Sequence, residues 1–296
     1  MKIAVVGAAG RMGSWFCRLL HSSKYELLLI GRRQEPLVAL SEELSGSSVV
    51  ASVKDVGNAD AVLISVAFDN VVNAMRDLSP HVRVAQPVID ISSLKVKPQR
   101  LAEEHLACAT YLGVHPMFGP GAESLQGHNV ILAPVGGDAA RLANEVGSWC
   151  SGRGAVVRTM GPESHDQLMS IVLGLPAITV AAVARTVLET SKLREAREMS
   201  GTSLQVLLAL TESMMCQGSE LYSMLLESLP DAPDLAEAMG RSITHYGKLI
   251  AARDREALRA EFTQLGNGLT AADRAAEDAY EHMYAMLEAL KKYPAR

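Results

Sequence analysis

The residues best placed to do chemistry sit in Gly113-Val114-His115-Pro116-Met117-Phe118-Gly119-Pro120, where one histidine ends an apolar run and is followed at once by proline and glycine. A turn pinned by these residues holds an imidazole still, and its ordinary pKa lets it give or take a proton near neutrality. Turn histidines often have no task. His115 keeps company that argues for one: Asp90-Ile91-Ser92-Ser93-Leu94-Lys95 after an earlier apolar run, Glu163-Ser164-His165-Asp166-Gln167-Leu168-Met169 further on, and a glycine loop near the start of the chain. A proton acceptor downstream of a nucleotide loop reads as redox chemistry. Cys17, Cys108, Cys150 and Cys216 form no CxxC or Cys/His cluster, so neither a disulfide framework nor a metal site is expected.

The glycine loop is Val5-Val6-Gly7-Ala8-Ala9-Gly10-Arg11-Met12-Gly13, after a first apolar strand and before a helical pattern. In that context each glycine has its own task. Gly7 allows the tight turn, Gly10 lets backbone approach a diphosphate, and Gly13 lets the helix pack on the strand, with Ala8, Ala9, Arg11 and Met12 completing the cradle. The spacing departs from strict G-x-G-x-x-G, and a plain strand-to-helix turn would use glycines too. The second strand, Leu27 to Ile30, ends in Gly31-Arg32-Arg33, where an NAD site normally carries an acid for the ribose hydroxyls. Two guanidiniums there match a 2′-phosphate in charge and shape, so NADP is expected ahead of NAD. Ser65, Val66 and Ala67, at the end of a further strand, complete the expected cofactor set.

These pieces need a scaffold to position them. Strands are expected at Lys2 to Val6, Glu26 to Ile30, Ser48 to Ala51, Ala61 to Val66, Val84 to Ile91, Thr110 to Val114, Asn129 to Ala133 and Ala155 to Arg158. Helical patterns such as Met12 to His21 and Asn70 to Asp77 lie between them. The alternation predicts an α/β fold with a doubly wound, Rossmann-like parallel sheet over residues 1–160. From Pro162 onward strand signals vanish. Stretches rich in Ala, Leu, Met and Glu, broken at Gly174-Leu175-Pro176, Gly201-Thr202-Ser203 and Leu229 to Pro233, predict an all-α domain over residues 161–296 that ends in a helix over Ala271 to Lys292. Its apolar positions exceed what one small bundle buries, so these helices are expected to form a homodimer.

Bulk properties narrow the class. At 296 residues two domains are expected, and a net charge of -5 with 21% charged residues gives no basic patch for nucleic acid. The longest apolar stretches, such as Ile178 to Ala184, read as too short for a membrane span, and the start of the chain reads directly into a strand. A cytoplasmic location follows as an expectation.

With these residues in view the chain resembles the prephenate and arogenate dehydrogenase family. The likeness rests on Gly7 to Gly13, on Asp90 to Lys95 for the family's Asp-x-x-Ser-x-Lys, on His115-Pro116-Met117-Phe118-Gly119-Pro120, and on His165-Asp166-Gln167 at a helix start. It runs over nearly the whole chain. It implies an NAD(P)-dependent oxidoreductase of aromatic amino acid biosynthesis acting on a cyclohexadienyl ring acid. Hydride leaves C4 of the ring, His115 draws off the hydroxyl proton, and the ring carboxylate departs as CO2 to complete an aromatic ring. The same resemblance makes His115 and Ser93 the catalytic pair and places Ser92, Lys95, Met117, Gly119, His165 and Gln205 at the substrate.

Two departures stand out. Ala177 follows Leu175-Pro176 where the family usually has histidine, and Gln205 occupies the place of the family's carboxylate-binding arginine. No arginine lies between Arg197 and Arg241, and an amide does not replace a bidentate guanidinium. A substrate such as 4-amino-4-deoxyprephenate, or anchoring by Arg194, Arg197 or Arg241, is therefore kept beside prephenate. Two other readings keep the architecture. A reductase or β-hydroxyacid-type dehydrogenase would need a lysine that Pro162 to Ala177 lacks, and a non-catalytic NADPH-binding protein would tolerate both departures.

Overall fold

The computed structural model describes residues 1–44, 48–216 and 219–291. Eight strands form one sheet in the order β3-β2-β1-β4-β5-β6-β7-β8. They are β1 (Lys2–Val6), β2 (Glu26–Ile30), β3 (Ser48–Val50), β4 (Ala61–Ile64), β5 (Pro87–Asp90), β6 (Thr110–Pro116), β7 (Asn129–Ala133) and β8 (Val156–Thr159). Helices α1 (Arg11–Ser22), α2 (Gln34–Glu43), α3 (Val71–Leu78), α4 (Val96–His105) and α5 (Gly137–Ser151) connect them. β1 and β4 are buried along nearly their whole length, as strands covered on both faces must be. One face carries α3 and α4, which bury Met75, Leu78, Ala102 and Leu106 against Val62, Ile64 and Val88. α1 and α2 cover the other face near β1 and β2, and α5 covers it near β6 and β7.

The wholly parallel sheet expected from the alternation is interrupted once. β7 runs antiparallel to β6, with Gly113 opposite Ala133 and Pro116 opposite Val130. A parallel return needs a crossover, usually a helix, and residues 117–128 contain none, so the chain simply folds back.

Contacts divide the chain into two units, Met1–Asp166 and Gln167–Arg296, a division that falls inside α6 (Pro162–Met169). The second unit is helical: α7 (Leu175–Glu189), α8 (Leu193–Glu198), α9 (Thr202–Met215), α10 (Ser219–Ser228), α11 (Ala232–Ala251), α12 (Arg255–Ala272) and α13 (Ala279–Lys291). The break expected at Gly174-Leu175-Pro176 is absent. Residues 170–174 take a π-helical turn, and α7 resumes with Pro176 in its first turn, where a missing N–H leaves no bond unmade. The last helix, expected to be continuous from Ala271, is instead interrupted. Asp273 accepts a bond from the Ala275 N–H and opens a 3-10 turn before α13 begins; Lys292 lies outside the described residues.

A second expectation also needs correcting. The helical run Pro162–Glu189 is long and apolar enough, by length and composition, to cross a bilayer. Counting uninterrupted apolar residues missed it, because Ser170, Pro176 and Thr179 interrupt the run without interrupting the helix. Within its own unit α7 packs against α9 and buries Ala177 and Val180, while Leu188, Leu210, Leu221, Phe262 and Leu269 of the same unit stay exposed.

Candidate active site

The glycine cradle is dictated by sterics. Gly7 has φ +87°, and a Cβ there would stand 2.2 Å from the Ser65 carbonyl oxygen; at Gly13 it would stand 2.1 Å from the Gly7 oxygen. No side chain fits either position, so β1, β4 and α1 approach as closely as their backbones allow. The N–H groups of Gly7 and Ala8 both donate to the Ile30 carbonyl, which ties the loop to the end of β2. No side chain caps the start of α1, so its first-turn N–H groups remain available to an anion. This cradle fits the diphosphate of a dinucleotide.

A groove of about 1150 Å³ runs from the cradle along the carboxyl ends of β1, β2 and β4. Gly7, Ala9, Gly10, Gly31, Arg32, Arg33, Ser65, Val66 and Ala67 of the expected cofactor set line it. Ala8 and Gly13 are buried beneath it, and Arg11 and Met12 lie on the first turn of α1 outside its lining. Arg32 and Arg33 are exposed, and among the described residues neither has an ion-pair partner. Ser52, Asp55, Asn70 and Asn73 also line the groove and were not anticipated. Asp55 puts an acid there after all, but its carboxylate accepts from the Ser52 N–H at 2.8 Å in a capping box and is committed to that turn.

The second cluster lies at the ends of β5 and β6. Asp90 pairs with Gly113, and along β6 the side chains at 111, 113 and 115 share one face. Lys95 runs through this cluster. It is 1% exposed, and its ammonium sits 2.8 Å from the Val114 carbonyl and 3.6 Å from the Asp90 carboxylate. Gly113 makes room for it, since a Cβ there would meet the Lys95 chain at 2.8 Å. Burial pulls the Lys95 pKa down, and the charges of Asp90 and Asp166 oppose that. Asp90 also accepts bonds from the Ser92 hydroxyl and, at 3.2 Å, from the Tyr111 hydroxyl, whose pKa burial and then Asp90 push up.

His115 is 6% exposed, and its Nδ1 lies 2.9 Å from His165 Nε2; His165 Nδ1 in turn lies 2.7 Å from an Asp166 oxygen. The Asp166 carboxylate is anchored by the N–H groups of Lys95 and Val96, at 2.8 and 3.0 Å, at the start of α4. Proton positions follow from this network. A carboxylate only accepts, so His165 carries a proton on Nδ1, and in the neutral form of the ring Nε2 offers a lone pair. His115 must then donate from Nδ1, which leaves its own Nε2 as an acceptor without a partner among the described residues. Burial, then the Lys95 charge, then His165 hold the His115 pKa well below the usual value, so the ring is neutral at pH 7. A fixed, neutral imidazole with one free lone pair is suited to take a proton.

The remaining candidates divide. Ser93 is half-buried just beyond β5, at the sheet edge that carries His115. Met117 is half-buried, and Gly119 is exposed in the following loop. Trp15 of α1 holds that loop, through a 2.6 Å bond to the Ala122 carbonyl and ring contact with Phe118. Ser92 and Lys95, expected at the substrate, are both buried with their polar atoms bonded inside the protein, and the Lys95 charge acts on His115. Gln205 belongs to the second unit, exposed on α9, with its amide nitrogen on the Ser200 carbonyl. Asp90, Tyr111 and Asp166 are additions. The alternate spacing of 111, 113 and 115 was a legible signal for Tyr111. Among the described residues no group of His, Cys, Asp and Glu is placed to hold a metal ion. The Cys17 and Cys150 thiols are pushed by burial to about 12 and about 11, so neither is a nucleophile near neutrality.

A doubly wound sheet with a glycine cradle and a groove at its carboxyl edge defines a nucleotide-binding α/β protein. Residues 16–159 match the family described as prephenate dehydrogenase, nucleotide-binding domain. A probable arogenate/prephenate dehydrogenase from Methanocaldococcus jannaschii is 26% identical over 259 residues, covering 86% of this chain and 58% of that protein. A 4-amino-4-deoxyprephenate dehydrogenase from Streptomyces pristinaespiralis is 26% identical over 279 residues, covering 89% of this chain and 90% of that one. The chain thus spans less than two thirds of the archaeal relative's length, and the same holds for the Haemophilus influenzae T-protein, of which it covers 62%. Among solved structures, prephenate dehydrogenase from Aquifex aeolicus in complex with hydroxyphenyl propionate and NAD+ superposes with a TM-score of 0.73 at 20% identity, over 92% of this chain and 98% of that one. Synechocystis arogenate dehydrogenase gives 0.69 at 18% identity, over 93% and 99%. At these identities the structures speak to the fold. Residues 16–159, just under half of the chain, thus match the nucleotide-binding domain of the prephenate dehydrogenase family, and the likeness to a probable arogenate/prephenate dehydrogenase extends over 86% of the chain.

Proposed function

We propose that this protein is an NADP-preferring dehydrogenase that oxidatively decarboxylates prephenate or a closely related cyclohexadienyl acid, with His115 as proton acceptor. The observation that carries the reading is the His115–His165–Asp166 chain, which leaves one imidazole lone pair free at the carboxyl edge of a nucleotide-binding sheet. Gly7, Gly10, Arg32, Arg33, Ser65 and Ala67 would hold the dinucleotide, which supplies the hydride acceptor when bound. His115 Nε2 takes the ring hydroxyl proton, and Ser93 orients that hydroxyl. Burial, and after it the Lys95 charge, keep the imidazole neutral until the proton arrives. Aromatisation with loss of CO2 drives the step, so positioning matters more than a strong nucleophile. The exposed apolar side chains of the helical unit support a homodimer joined through those helices, and we propose a cytoplasmic location for it.

A second reading replaces the ring hydroxyl by an amine. Gln205 in place of an arginine favours it, as does the Streptomyces pristinaespiralis relative, whose length this chain nearly matches. Both readings are tested by following reduction of NADP+ and NAD+ with prephenate, arogenate and 4-amino-4-deoxyprephenate. Turnover with one of the three, faster with NADP+, is expected. Silence with all three, despite tight NADPH binding, would leave a nucleotide-binding protein without this activity.

Cofactor choice has its own test. Arg32→Asp is expected to weaken NADP+ binding by about 10- to 100-fold, the range of a lost charge-assisted contact, and to change NAD+ binding little. Equal effects on both would mean that Arg32 does not meet the 2′-phosphate.

A further inference from the structure

The segment that leaves β6 directly after His115 crosses to β7 without a helix, at the sheet edge where ligands of open α/β sheets bind. Its ends are pinned by backbone. The Met117 N–H donates to the Asn129 carbonyl at 2.9 Å and the Gly127 N–H to the Gly154 carbonyl at 2.8 Å. Between those ends, among the described residues, 118–124 receive one hydrogen bond from outside the loop: the Trp15 indole N–H donates to the Ala122 carbonyl at 2.6 Å. That bond fixes a whole turn, because the Ala122 N–H in turn donates to the Gly119 carbonyl at 3.1 Å. Phe118 adds ring contacts, with centroids 5.0 Å from Trp15 and 4.9 Å from His128. Gly119 and Gly121 border open space, so nothing on their side supports the loop.

Trp15 is itself held firmly. Phe16, buried beneath α1, meets it edge-on at 5.0 Å, and the indole packs against both the apolar cluster under α1 and the one under α5. It stands one turn, about 6 Å along the helix axis, beyond Arg11, where α1 begins at the glycine cradle. A helix is stiff over that length. The indole therefore refers the loop after His115 to the same helix whose first turn faces the diphosphate.

We propose that Trp15 is a positioning residue for the ring acid, setting the place of Met117 to Ala122 relative to the bound dinucleotide. This role rests on the dehydrogenase reading given above. Trp15→Phe keeps the ring contacts and deletes the N–H, so KM for the ring acid is expected to rise about 2- to 10-fold, the range of one hydrogen bond. KM for NADP+ and kcat should change by less than about twofold, a split that a loss of packing alone does not produce. Phe118→Leu leaves Trp15 in place and should move the same constant in the same direction, which serves if Trp15→Phe does not fold. Unchanged KM values, or an equal rise for acid and cofactor, would overturn the role. Amide hydrogen exchange supplies a readout that needs no turnover: hydroxyphenyl propionate added to the NADP+ complex of the full chain should slow exchange over Gly119–Ser124, and slow it less in Trp15→Phe. Should the unaltered chain turn over none of the three acids, the dehydrogenase reading fails while this measurement decides the role of Trp15. Protection that depends on the indole retains it, and protection that is absent or indifferent to the substitution overturns it.

Discussion

Replacing His115 with asparagine is expected to lower kcat by about 10²- to 10⁴-fold, the contribution of a positioned proton acceptor, while NADP+ affinity changes less than about twofold. Asparagine is of similar size and can still meet His165, but its amide offers no basic nitrogen at the place of Nε2. The cofactor cradle is built from β1, β2, β4 and α1 and should not register the change. Because burial, Lys95 and His165 all hold the His115 pKa well below 6.5, kcat/KM should be flat through neutrality and decline only on the acid side of pH 6.5. The same shift has a sign for stability. The unfolded chain takes up this proton first, so stability present above pH 6.5 is lost as pH falls from there toward the folded value. His115→Asn should remove that part of the acid sensitivity. An Asn variant with near-normal kcat would refute the assignment.

Asp166→Asn should come next in size, although Asp166 touches neither of the atoms assigned to proton transfer. Its carboxylate accepts from His165 Nδ1, from the Lys95 N–H and from the Val96 N–H. An amide has one oxygen for three donors. If that oxygen stays with the backbone, the NH2 faces His165 and reverses its tautomer. His165 Nε2 then donates, His115 Nδ1 must accept, and the proton moves to His115 Nε2, where the lone pair was needed. Losing tautomer control in this way lowers kcat by up to about 10⁴-fold in a comparable buried carboxylate–imidazole arrangement. Stability should fall by about 1–3 kcal/mol as well, since a buried N–H at the start of α4 loses its acceptor. Steady-state kinetics and denaturant unfolding separate the two effects. A variant that is destabilised but retains its kcat would make Asp166 an anchor of α4 alone.

The two units read unequally from sequence. All eight strands, the glycine cradle and the arginine pair at the end of β2 follow from local pattern: period-two runs, glycine spacing, and residue type at a strand end. Helix ends in the second unit were harder. Pro176 marks a break by propensity, yet a π-helical turn absorbs it, and three polar or cyclic residues hid a 28-residue helical run. Local rules see the interruption but not the hydrogen bonds that bridge it.

The chain's order of residues by itself determined a dinucleotide cradle, a histidine on a stiff turn and a change from strands to helices, because each depends on neighbours a few positions apart. Only the tertiary structure decided what His115 can do. Its tautomer is set by His165 and Asp166, 50 residues and more away, and its charge state by burial and then by a Lys95 shut inside the sheet. Hydrogen bonds and buried charges act through space, and strand register, not spacing along the chain, brings these groups within reach.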